Sequence, residues 1–588
     1  MLETKISGGL IYDGNGGTPY LADIGIKDGV ITEIGANLGP AAREIDAGGA
    51  IVTPGFIDIH THYDGQISWD EELKPSVNHG VSTIVMGNCG VGFAPCHKTD
   101  HERLIRLMEG VEDIPGTALA EGLTWEWESF PEYLDALDAR PHTLDYLAMV
   151  PHDPLRVYVM GERAVCEERA TEEDILKMRA LTREALEAGA IGFSTGRSDA
   201  HRSSDGQWTP ASEAHVSELV GIAKAFEGLG YGVLHAVNDF DQERPGDQFD
   251  AEFDLLEAYF KAAPGHKASM TWMQRDLVPD HWIKIMKRAE ALQKQGVDLR
   301  LQAATRGIGL FLGLQSTFHP LMAFPSYLEI AELPFEARVN ALRAPGMKEK
   351  MLSETPVKMA GRNGIPPMTD TMIAMTEQIS AKMFKLDPDG SGVARYEQGF
   401  ESSVKAEALA KGVSVFSVIY DWMLEDDGKA LIYFPIYNYT DMNYDAVHTM
   451  ITHPLSLPGL TDGGAHVGYI CDASMPSYLL SYWTKAREKD RIDLARAVKW
   501  LSADCADFLG LSDRGRIAVG LKADINVIDY DNLSLGVPFM VKDLPAGGQR
   551  LLQPVQGYIA TLVSGARVIE NDNVTDKRPG RLVRAGAQ

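Results

Sequence analysis

Residues 54–65 read PGFIDIHTHYDG and set both the fold and the candidate chemistry of this chain. A Pro-Gly turn leads into an apolar run, which is typical of a buried β-strand. His60 and His62 stand two positions apart, so on a strand both imidazoles lie on one face. Such a pair can chelate zinc, and Asp58 or Asp64 can orient the rings. We therefore predict two metal ligands here, rather than two hydrogen-bonded core histidines.

Strand-like and helical runs alternate beyond this stretch, which favours parallel βα units. The clearest helix follows Thr171, which forms a capping pair with Asp174, and it stops at Gly189. The candidate strands are IDIHTH, STIVMGNC, YLAMV, AIGFS, GVLHAV, ASMTWM, LRLQAA and GLTDGG. An α/β fold with a TIM-type (β/α)8 barrel over residues 54–510 is the expected architecture.

Both ends of the chain consist of short predicted strands separated by turns, as in KISGGLIYDG near the start and GRIAVGLKADINVIDYD near the end. We predict that residues 1–53 and 511–588 pair into one small β-sandwich domain. The stretch at about 310–455 is longer than a plain βα connection, so we interpret it as an insertion that covers the barrel mouth. Within it, DPDGSG at 387–392 resembles a calcium loop, but position twelve is Gln398, which favours an exposed turn.

Composition excludes several classes of protein. The chain has 588 residues and a formal charge of −28, from 55 basic and 83 acidic side chains, which argues against nucleic acid and against an anionic membrane surface as partners. The sequence has neither a signal-peptide pattern nor an apolar run of about 18 residues, so a cytoplasmic protein is expected. Five cysteines, odd in number and mostly far apart, do not form a disulfide framework.

Three further residues at predicted strand ends are candidate metal ligands. Cys89 ends the second strand between Asn88 and a glycine, and its thiolate can bind or bridge metals, although a small buried hydrophobe is the alternative. His235 closes another strand and offers a third imidazole or a structural histidine. Asp462 precedes two glycines and can both contact a metal and accept a proton from its water as catalytic base, unless it is a turn former.

Residues just beyond other strands are candidates for binding a substrate. They are Arg197, His201, Arg202, Arg306 and His466. An arginine in this place can clamp a carboxylate through two parallel hydrogen bonds, while a salt bridge within the protein is the alternative for each one.

These motifs together resemble the amidohydrolase superfamily, and more narrowly its N-acyl-D-amino-acid deacylases. The resemblance rests on PGFIDIHTHYDG, GNCGVGFAP, GAIGFSTG, LTDGG and GRIAVGLKADINVID. It implies a (β/α)8 barrel with a β-sandwich, His60 and His62 on one metal, Cys89 in the bridging position and Asp462 as base. Family members carry a further histidine one strand after the one matching His235. The comparable stretch here is SMTWMQR, so a second metal is expected to be weakly held or absent.

The expected activity is hydrolysis of an amide bond by a water activated on one or two zinc ions. The resemblance implies a small N-acyl substrate, most directly an N-acyl-D-amino acid, and a homo-oligomer is possible. Two alternatives stay open at this point. One is a cyclic-amide hydrolase of the hydantoinase kind, and the other is a barrel that has lost its metal and serves a structural role.

Overall fold

A parallel β-sheet of eight strands forms the centre of the structure. The computed structural model describes residues 1–166, 168–198, 200–240, 247–359 and 369–586. Each strand pairs with the next along the chain, and the strands are Phe56–Asp58, Val81–Met86, Asp145–Pro151, Gly192–Arg197, Val233–Asn238, Lys267–Trp272, Asp298–Ala303 and Ser456–Leu457. The eight sequence segments predicted as barrel strands all contribute to these strands or to the continuations described next.

The first and last strands of this sheet also meet each other. Beyond short breaks they continue as His60–Thr61 and Leu460–Gly463, and these two continuations pair in parallel. The His62 amide donates a hydrogen bond to the Gly463 carbonyl at 2.8 Å. The sheet therefore curls until its two edges touch, which gives a TIM-like architecture in which all eight carboxyl ends face one side.

Helices connect the strands and cover the outside of the sheet. Glu172–Glu187 shows why they form where they do: Thr171 caps the helix reciprocally with Asp174, as the sequence predicts, and Met178 and Leu186 face the core. The helices that precede the last barrel strand are His101–Glu112, Gly116–Gly122, Phe130–Asp138, His152–Met160, Glu162–Val165, Glu172–Glu187, Val216–Ala223, Phe249–Lys261, His281–Lys294, Pro325–Leu328, Phe335–Leu342, Met347–Leu352, Thr369–Ala374, Thr376–Ile379, Val404–Lys411, Val415–Met423, Glu425–Gly428 and Asp445–Thr452. Those that follow it are Met475–Tyr478, Leu479–Ala486, Leu494–Leu501 and Ala503–Leu509. In the part of the chain that the structure describes, none of these helices has the length and apolarity to cross a bilayer.

The two ends of the chain join in a second sheet. Ile525–Ile528 lies antiparallel to Ile51–Pro54, which links the terminal segments directly. The strands of this sheet are Leu2–Ile11, Tyr20–Lys27, Val30–Gly35, Ala41–Asp46, Ile51–Pro54, Ile525–Ile528, Tyr558–Val563, Ala566–Glu570 and Asn573–Val574. Two short antiparallel pairs lie nearby in sequence, Ser534–Leu535 with Val555–Gln556 and Phe539–Val541 with Arg550–Leu552. The pairing of the ends matches the sequence prediction, whereas the two-layer sandwich and the boundaries at 53 and 510 stay predictions.

The long segment before the last barrel strand contains an antiparallel pair of strands that does not belong to the barrel sheet. Ile308–Leu312 runs antiparallel to Ile432–Tyr437, with helices between them in sequence. These elements bury a separate apolar cluster that includes Leu312 and Ile419. The DPDGSG stretch is an exposed turn in which the Asp387 carboxylate accepts hydrogen bonds from the Ser391 and Gly392 amides.

A buried ion cluster fastens the C-terminal segment to the barrel. Asp145, at the start of the third barrel strand, accepts hydrogen bonds of 2.6 Å from both Arg514 and Lys522. The carboxyl and guanidinium groups are each about 4% exposed. Because charges out of water must be paired, the cluster ties the two parts of the chain together.

We predict that Asp145→Asn lowers the free energy of unfolding by about 1–3 kcal/mol, because it removes the buried carboxylate that Arg514 and Lys522 share and leaves them with Asp513 and Asp524 respectively. Urea denaturation followed by fluorescence measures the change. The control is Glu173→Ala, which breaks an exposed pair with Lys177 and should shift stability by less than about 0.5 kcal/mol. Equal effects of the two substitutions would contradict this account.

Candidate metal centre

Four donor atoms meet at the carboxyl ends of the first, second and last barrel strands. His60 Nε2 lies 3.3 Å from Cys89 Sγ and 3.3 Å from Asp462 Oδ1. His62 Nε2 lies 3.5 Å from the same sulfur and 3.6 Å from the same oxygen. Two imidazole nitrogens, a thiol and a carboxylate at these separations match the donor types and the small polyhedron that a transition metal such as zinc requires. The residues therefore fit a divalent cation.

The four donors differ in their access to the adjacent cavity. The two imidazoles are 1% exposed, whereas the Asp462 side chain is 16% exposed. Both histidines, Cys89 and Asp462 line the cavity, together with Thr271 from the sixth strand. The carboxylate is thus the donor best placed to contact a bound molecule as well as a cation.

The backbone of both Cys89 and Asp462 adopts the left-handed conformation. Each residue has a positive φ, 53° and 50° respectively, which is uncommon for residues with a Cβ. Thr461 donates a hydrogen bond to Asp58, whose carboxylate also accepts from the His60 amide at 3.3 Å. These bonds hold the last strand against the first, and so they fix where the Asp462 carboxylate points.

Ser194 holds the Cys89 turn in place. It lies in GFSTG, residues 192–196, which has the Gly-x-Ser-x-Gly spacing of serine hydrolases. Its hydroxyl is buried, donates to the Gly87 carbonyl and accepts from the Gly90 amide at 3.1 Å. The serine therefore supports the loop that carries the thiol, and its hydroxyl is occupied by these backbone contacts.

A chain of neutral polar groups fixes the ring of His60 and reaches His235. His60 Nδ1 donates to Gln302 Oε1 at 2.7 Å, which leaves Nε2 unprotonated toward the other donors. Gln302 Nε2 donates to Ser269 Oγ at 3.1 Å, and Ser269 Oγ contacts His235 Nδ1 at 2.9 Å. His235 Nε2 is buried without a hydrogen-bond partner, and its ring centroid lies 5.1 Å from that of His60. His235 is thus adjacent to the four-donor cluster.

Glu112 contacts the centre although no sequence motif pointed to it. It is the last residue of the helix His101–Glu112 and is 1% exposed. Its Oε1 lies 3.2 Å from His62 Nδ1, and its Oε2 lies 3.9 Å from His466 Nε2. Burial raises the pKa of Glu112 to about 7. Only tertiary packing brings this helix end to the histidine, so no local motif could have indicated it.

Four of the five candidate substrate-binding residues fall into two groups, and the fifth, Arg202, lies over the Trp208 ring instead of lining the cavity. His201 and His466 line the cavity. Arg197 instead forms a bidentate pair with Glu252, at 2.8 and 3.0 Å, and Arg306 is buried against Asp472 at 2.7 Å. Neither guanidinium lines the cavity, because each is used to neutralise a carboxylate inside the protein.

Three residues at and just beyond the end of the sixth strand, Thr271, Met273 and Arg275, also line the cavity. Thr271 stands in the stretch where the sequence lacks a histidine, and its hydroxyl is buried with no hydrogen-bond partner among the described residues. Trp272 points elsewhere, since its indole donates to the Trp282 carbonyl at 2.8 Å. Arg275, which sequence reasoning did not select, lines the cavity three residues after the strand ends.

The protonation states of the candidate ligands determine which protons a cation would displace on binding. Burial raises the pKa of the Cys89 thiol to about 12, so the thiol carries its proton at neutral pH. Burial lowers the pKa of His60 to about 4, so that imidazole is neutral and ready to donate its lone pair. A cation bound here would displace the thiol proton.

We predict that zinc binding releases one proton from Cys89, because metal ligation needs the thiolate. The apparent affinity should then rise about tenfold per pH unit between pH 6 and 8 from this group alone. Calorimetric titrations in buffers of different ionisation enthalpy count the protons. Cys89→Ser should lower the count by one, whereas Cys505→Ser, another buried thiol that donates to the Trp500 carbonyl, should leave it unchanged. An unchanged count for Cys89→Ser would contradict the assignment.

We also predict that Gln302→Leu weakens zinc binding by about 10- to 100-fold, because His60 loses the acceptor that fixes its tautomer. Competition with a chromophoric chelator measures the affinity. Gln553→Leu is the matched control, since this buried glutamine bonds to Tyr396 and Gly536 instead. Equal zinc affinities of the Gln302 variant and the unaltered chain would show that the hydrogen bond does not support the ligand.

A family profile and individual relatives both match this chain. The sequence profile of the Amidohydrolase family matches residues 43–569. D-aminoacylase from Alcaligenes xylosoxydans xylosoxydans is 34% identical over 229 residues, which cover 39% of this chain and 43% of that enzyme. The match to this relative thus spans less than half of its length. N-acyl-D-glutamate deacylase from the same organism is 26% identical over 591 residues, covering 100% of this chain and 97% of that enzyme.

A solved structure shares the fold over its whole length. It is N-acyl-D-glutamate deacylase from Bordetella bronchiseptica, complexed with zinc and a phosphonate inhibitor that mimics the tetrahedral intermediate. The two chains superpose with a TM-score of 0.62 and 23% identity, covering 99% of this chain and 100% of the other.

Proposed function

Because this chain belongs to the Amidohydrolase family, we propose that it is a metal-dependent hydrolase that deacylates N-acyl-D-amino acids. One observation supports the proposal above all others. His60, His62 and Cys89 bring three donor atoms of zinc-binding type within 4.8 Å of one another, and Asp462 Oδ1 lies beside both imidazoles at the same cavity. The deacylases among the relatives supply the bond type and the D-amino-acid substrate.

In this proposal His60, His62, Cys89 and Asp462 would hold the cation, and Asp462, the most exposed of these side chains, would also contact the substrate. A bound divalent ion lowers the pKa of its water to about 7 and polarises a carbonyl oxygen. Asp462 takes the proton from the attacking water on its carboxylate and returns it to the departing nitrogen, because an amine must be protonated to leave. Although burial raises it, the pKa of Asp462 is lowered by the hydrogen bond and the charge of His62, so its carboxylate is ionised and free of a proton.

We propose zinc as the metal and one firmly held ion. Nitrogen and sulfur donors favour zinc over calcium or magnesium. A second ion would use Cys89 and His235, whose Nε2 is buried without a partner, but the sixth strand offers Thr271 where another imidazole would be needed. His201 and His466 are the proposed polar contacts to the substrate.

Several further features of the chain are part of the same proposal. The terminal sheet and its short neighbouring pairs form a two-layer sandwich, the domain boundaries lie at 53 and 510, and residues 310–455 form the insertion over the barrel mouth. The chain works in the cytoplasm, on a small molecule rather than nucleic acid or membrane. Gel filtration with light scattering tests whether it forms a homo-oligomer.

We predict that His60→Ala and Asp462→Asn each reduce kcat by at least about 100-fold, because the first removes a metal ligand and the second removes the proton acceptor. Steady-state hydrolysis of N-acetyl-D-amino acids measures the rates, and circular dichroism checks the fold. Asp531→Asn, at an exposed position outside the site, is the control. A rate within twofold of the unaltered chain in either site variant would remove that residue from the mechanism.

The same assay separates the proposed activity from its alternatives. Hydrolysis of N-acetyl-D-amino acids faster than their L-forms and faster than hydantoins supports the deacylase. The opposite order supports a hydantoinase. A folded protein with less than about 0.5 equivalent of metal, indifferent to chelators, supports the structural role instead.

A further inference from the structure

Glu112 is a buried carboxylate that lies between two histidines of the cavity wall. It ends the helix His101–Glu112 and is 1% exposed. Its Oε1 lies 3.2 Å from His62 Nδ1, and its Oε2 lies 3.9 Å from His466 Nε2. All three side chains line the same cavity. A buried carboxylate is costly unless it is paired and hydrogen-bonded, so the two imidazoles are the partners that can stabilise it here.

His62 needs an acceptor on the ring nitrogen that faces away from the other candidate ligands. Its Nε2 points toward Cys89 and Asp462, so a cation held there would leave the ring proton on Nδ1. Within the described residues Nδ1 has no aligned hydrogen-bond partner. Glu112 Oε1 is already within hydrogen-bonding range of it, at 3.2 Å. Glu112 is therefore the acceptor that this proton can reach.

The two candidate imidazole ligands differ in the group behind the ring. His60 Nδ1 donates to the neutral amide oxygen of Gln302 at 2.7 Å, whereas His62 Nδ1 faces a carboxylate. A carboxylate raises the basicity of an imidazole ligand more than an amide does, because it stabilises the positive charge that develops on the ring. Loss of the Glu112 carboxylate should therefore weaken cation binding at least as much as loss of the Gln302 amide.

Backbone contacts hold His466 close to Glu112. The Val467 amide donates to the Glu112 carbonyl at 3.3 Å, and the Gly468 amide donates to the carboxylate of the next residue, Asp113, at 3.0 Å. A Cβ at Gly468 would overlap that carboxylate, so the loop packs directly on the end of the helix. The loop that carries His466 and the helix that carries Glu112 are thus fastened to each other independently of the two side chains.

We propose that Glu112 is a positioning residue shared by the cation and the substrate, which orients His62 toward the cation and holds His466 at the substrate side of the cavity. Oε1 accepts the Nδ1 proton of His62. Oε2 is buried without a hydrogen-bond partner among the described residues, and it accepts from His466 Nε2 after a movement of about 1 Å. The inference rests on the proposed function, because it takes His62 as a metal ligand and His466 as a substrate contact.

Zinc affinity, measured by competition with a chromophoric chelator, tests the orientation of His62 without turnover. Glu112→Ala should weaken zinc binding by about 10- to 100-fold. Glu112→Gln is nearly isosteric and keeps an oxygen acceptor in place, so its affinity should lie between those of Glu112→Ala and the unaltered chain. A zinc affinity of Glu112→Ala within twofold of the unaltered chain, or no recovery in Glu112→Gln, would overturn the inference.

Glu218→Gln is the matched control for a purely structural effect. Glu218 is also 1% exposed and contacts a buried histidine, His152, at 3.0 Å, and neither residue is among the described residues that line the cavity. Because Glu218 also pairs with the buried Arg156, its substitution should lower the Tm at least as much as Glu112→Gln does. Its zinc affinity should nevertheless equal that of the unaltered chain. An equal loss of zinc affinity in the Glu218 and Glu112 variants would reduce Glu112 to a structural role.

A double-mutant cycle tests the link to His466. At saturating zinc, Glu112→Ala and His466→Ala should each raise KM for N-acetyl-D-amino acids about tenfold, and the double variant should raise it no further, because both substitutions remove one contact. Multiplication of the two effects in the double variant would contradict a shared role.

This inference and the deacylase proposal can fail separately. If zinc affinity falls in Glu112→Ala and no amide is hydrolysed, the deacylase proposal fails and the orientation of His62 by Glu112 stands. If N-acetyl-D-amino acids are hydrolysed and zinc affinity is unchanged in Glu112→Ala, the deacylase stands and this inference fails. A folded chain that binds no zinc would overturn both.

Discussion

The parallel pairing of the first and last barrel strands is the constraint on which the site depends. Leu460 pairs with His60 and Gly463 with Thr61, so residues four hundred positions apart become neighbours. The Asp462 carboxylate then lies 3.3 Å from the His60 imidazole. Without this pairing the histidines would keep their shared face, but the carboxylate would have no fixed position relative to them. Rigid strand ends, rather than a mobile loop, thus set the donor geometry.

The cluster is also held by contacts that are not themselves ligands. Thr461 and Asp58 tie the last strand to the first, Ser194 supports the Cys89 turn, and Gln302 orients His60. Two donors stand on residues with positive φ, a conformation that persists only when the surroundings determine it. A preorganised centre needs several such contacts, because a catalytic group displaced by about 1 Å loses much of its contribution to the rate.

The cavity has two sides of different origin. The side that carries the candidate metal ligands comes from strand ends of the barrel itself, while much of the opposite wall comes from Ile308–Leu312 and Ile432–Tyr437, which flank a long run of helices in the sequence. The barrel can therefore keep its chemistry while the added segment changes what fits beside it.

The sequence alone determined the features that depend on the spacing of residues close together along the chain. The alternation of strands and helices indicated the eight barrel strands, and two-residue spacing put His60 and His62 on one face, because side-chain direction along a strand repeats every two residues. Strand-end position also selected Cys89 and Asp462. Tertiary structure alone brought Glu112 and Gln302 to the candidate ligands and Arg275 to the cavity wall, and it engaged Arg197 and Arg306 in internal ion pairs. Those outcomes depend on which distant side chains arrive within hydrogen-bonding reach, which local spacing does not encode.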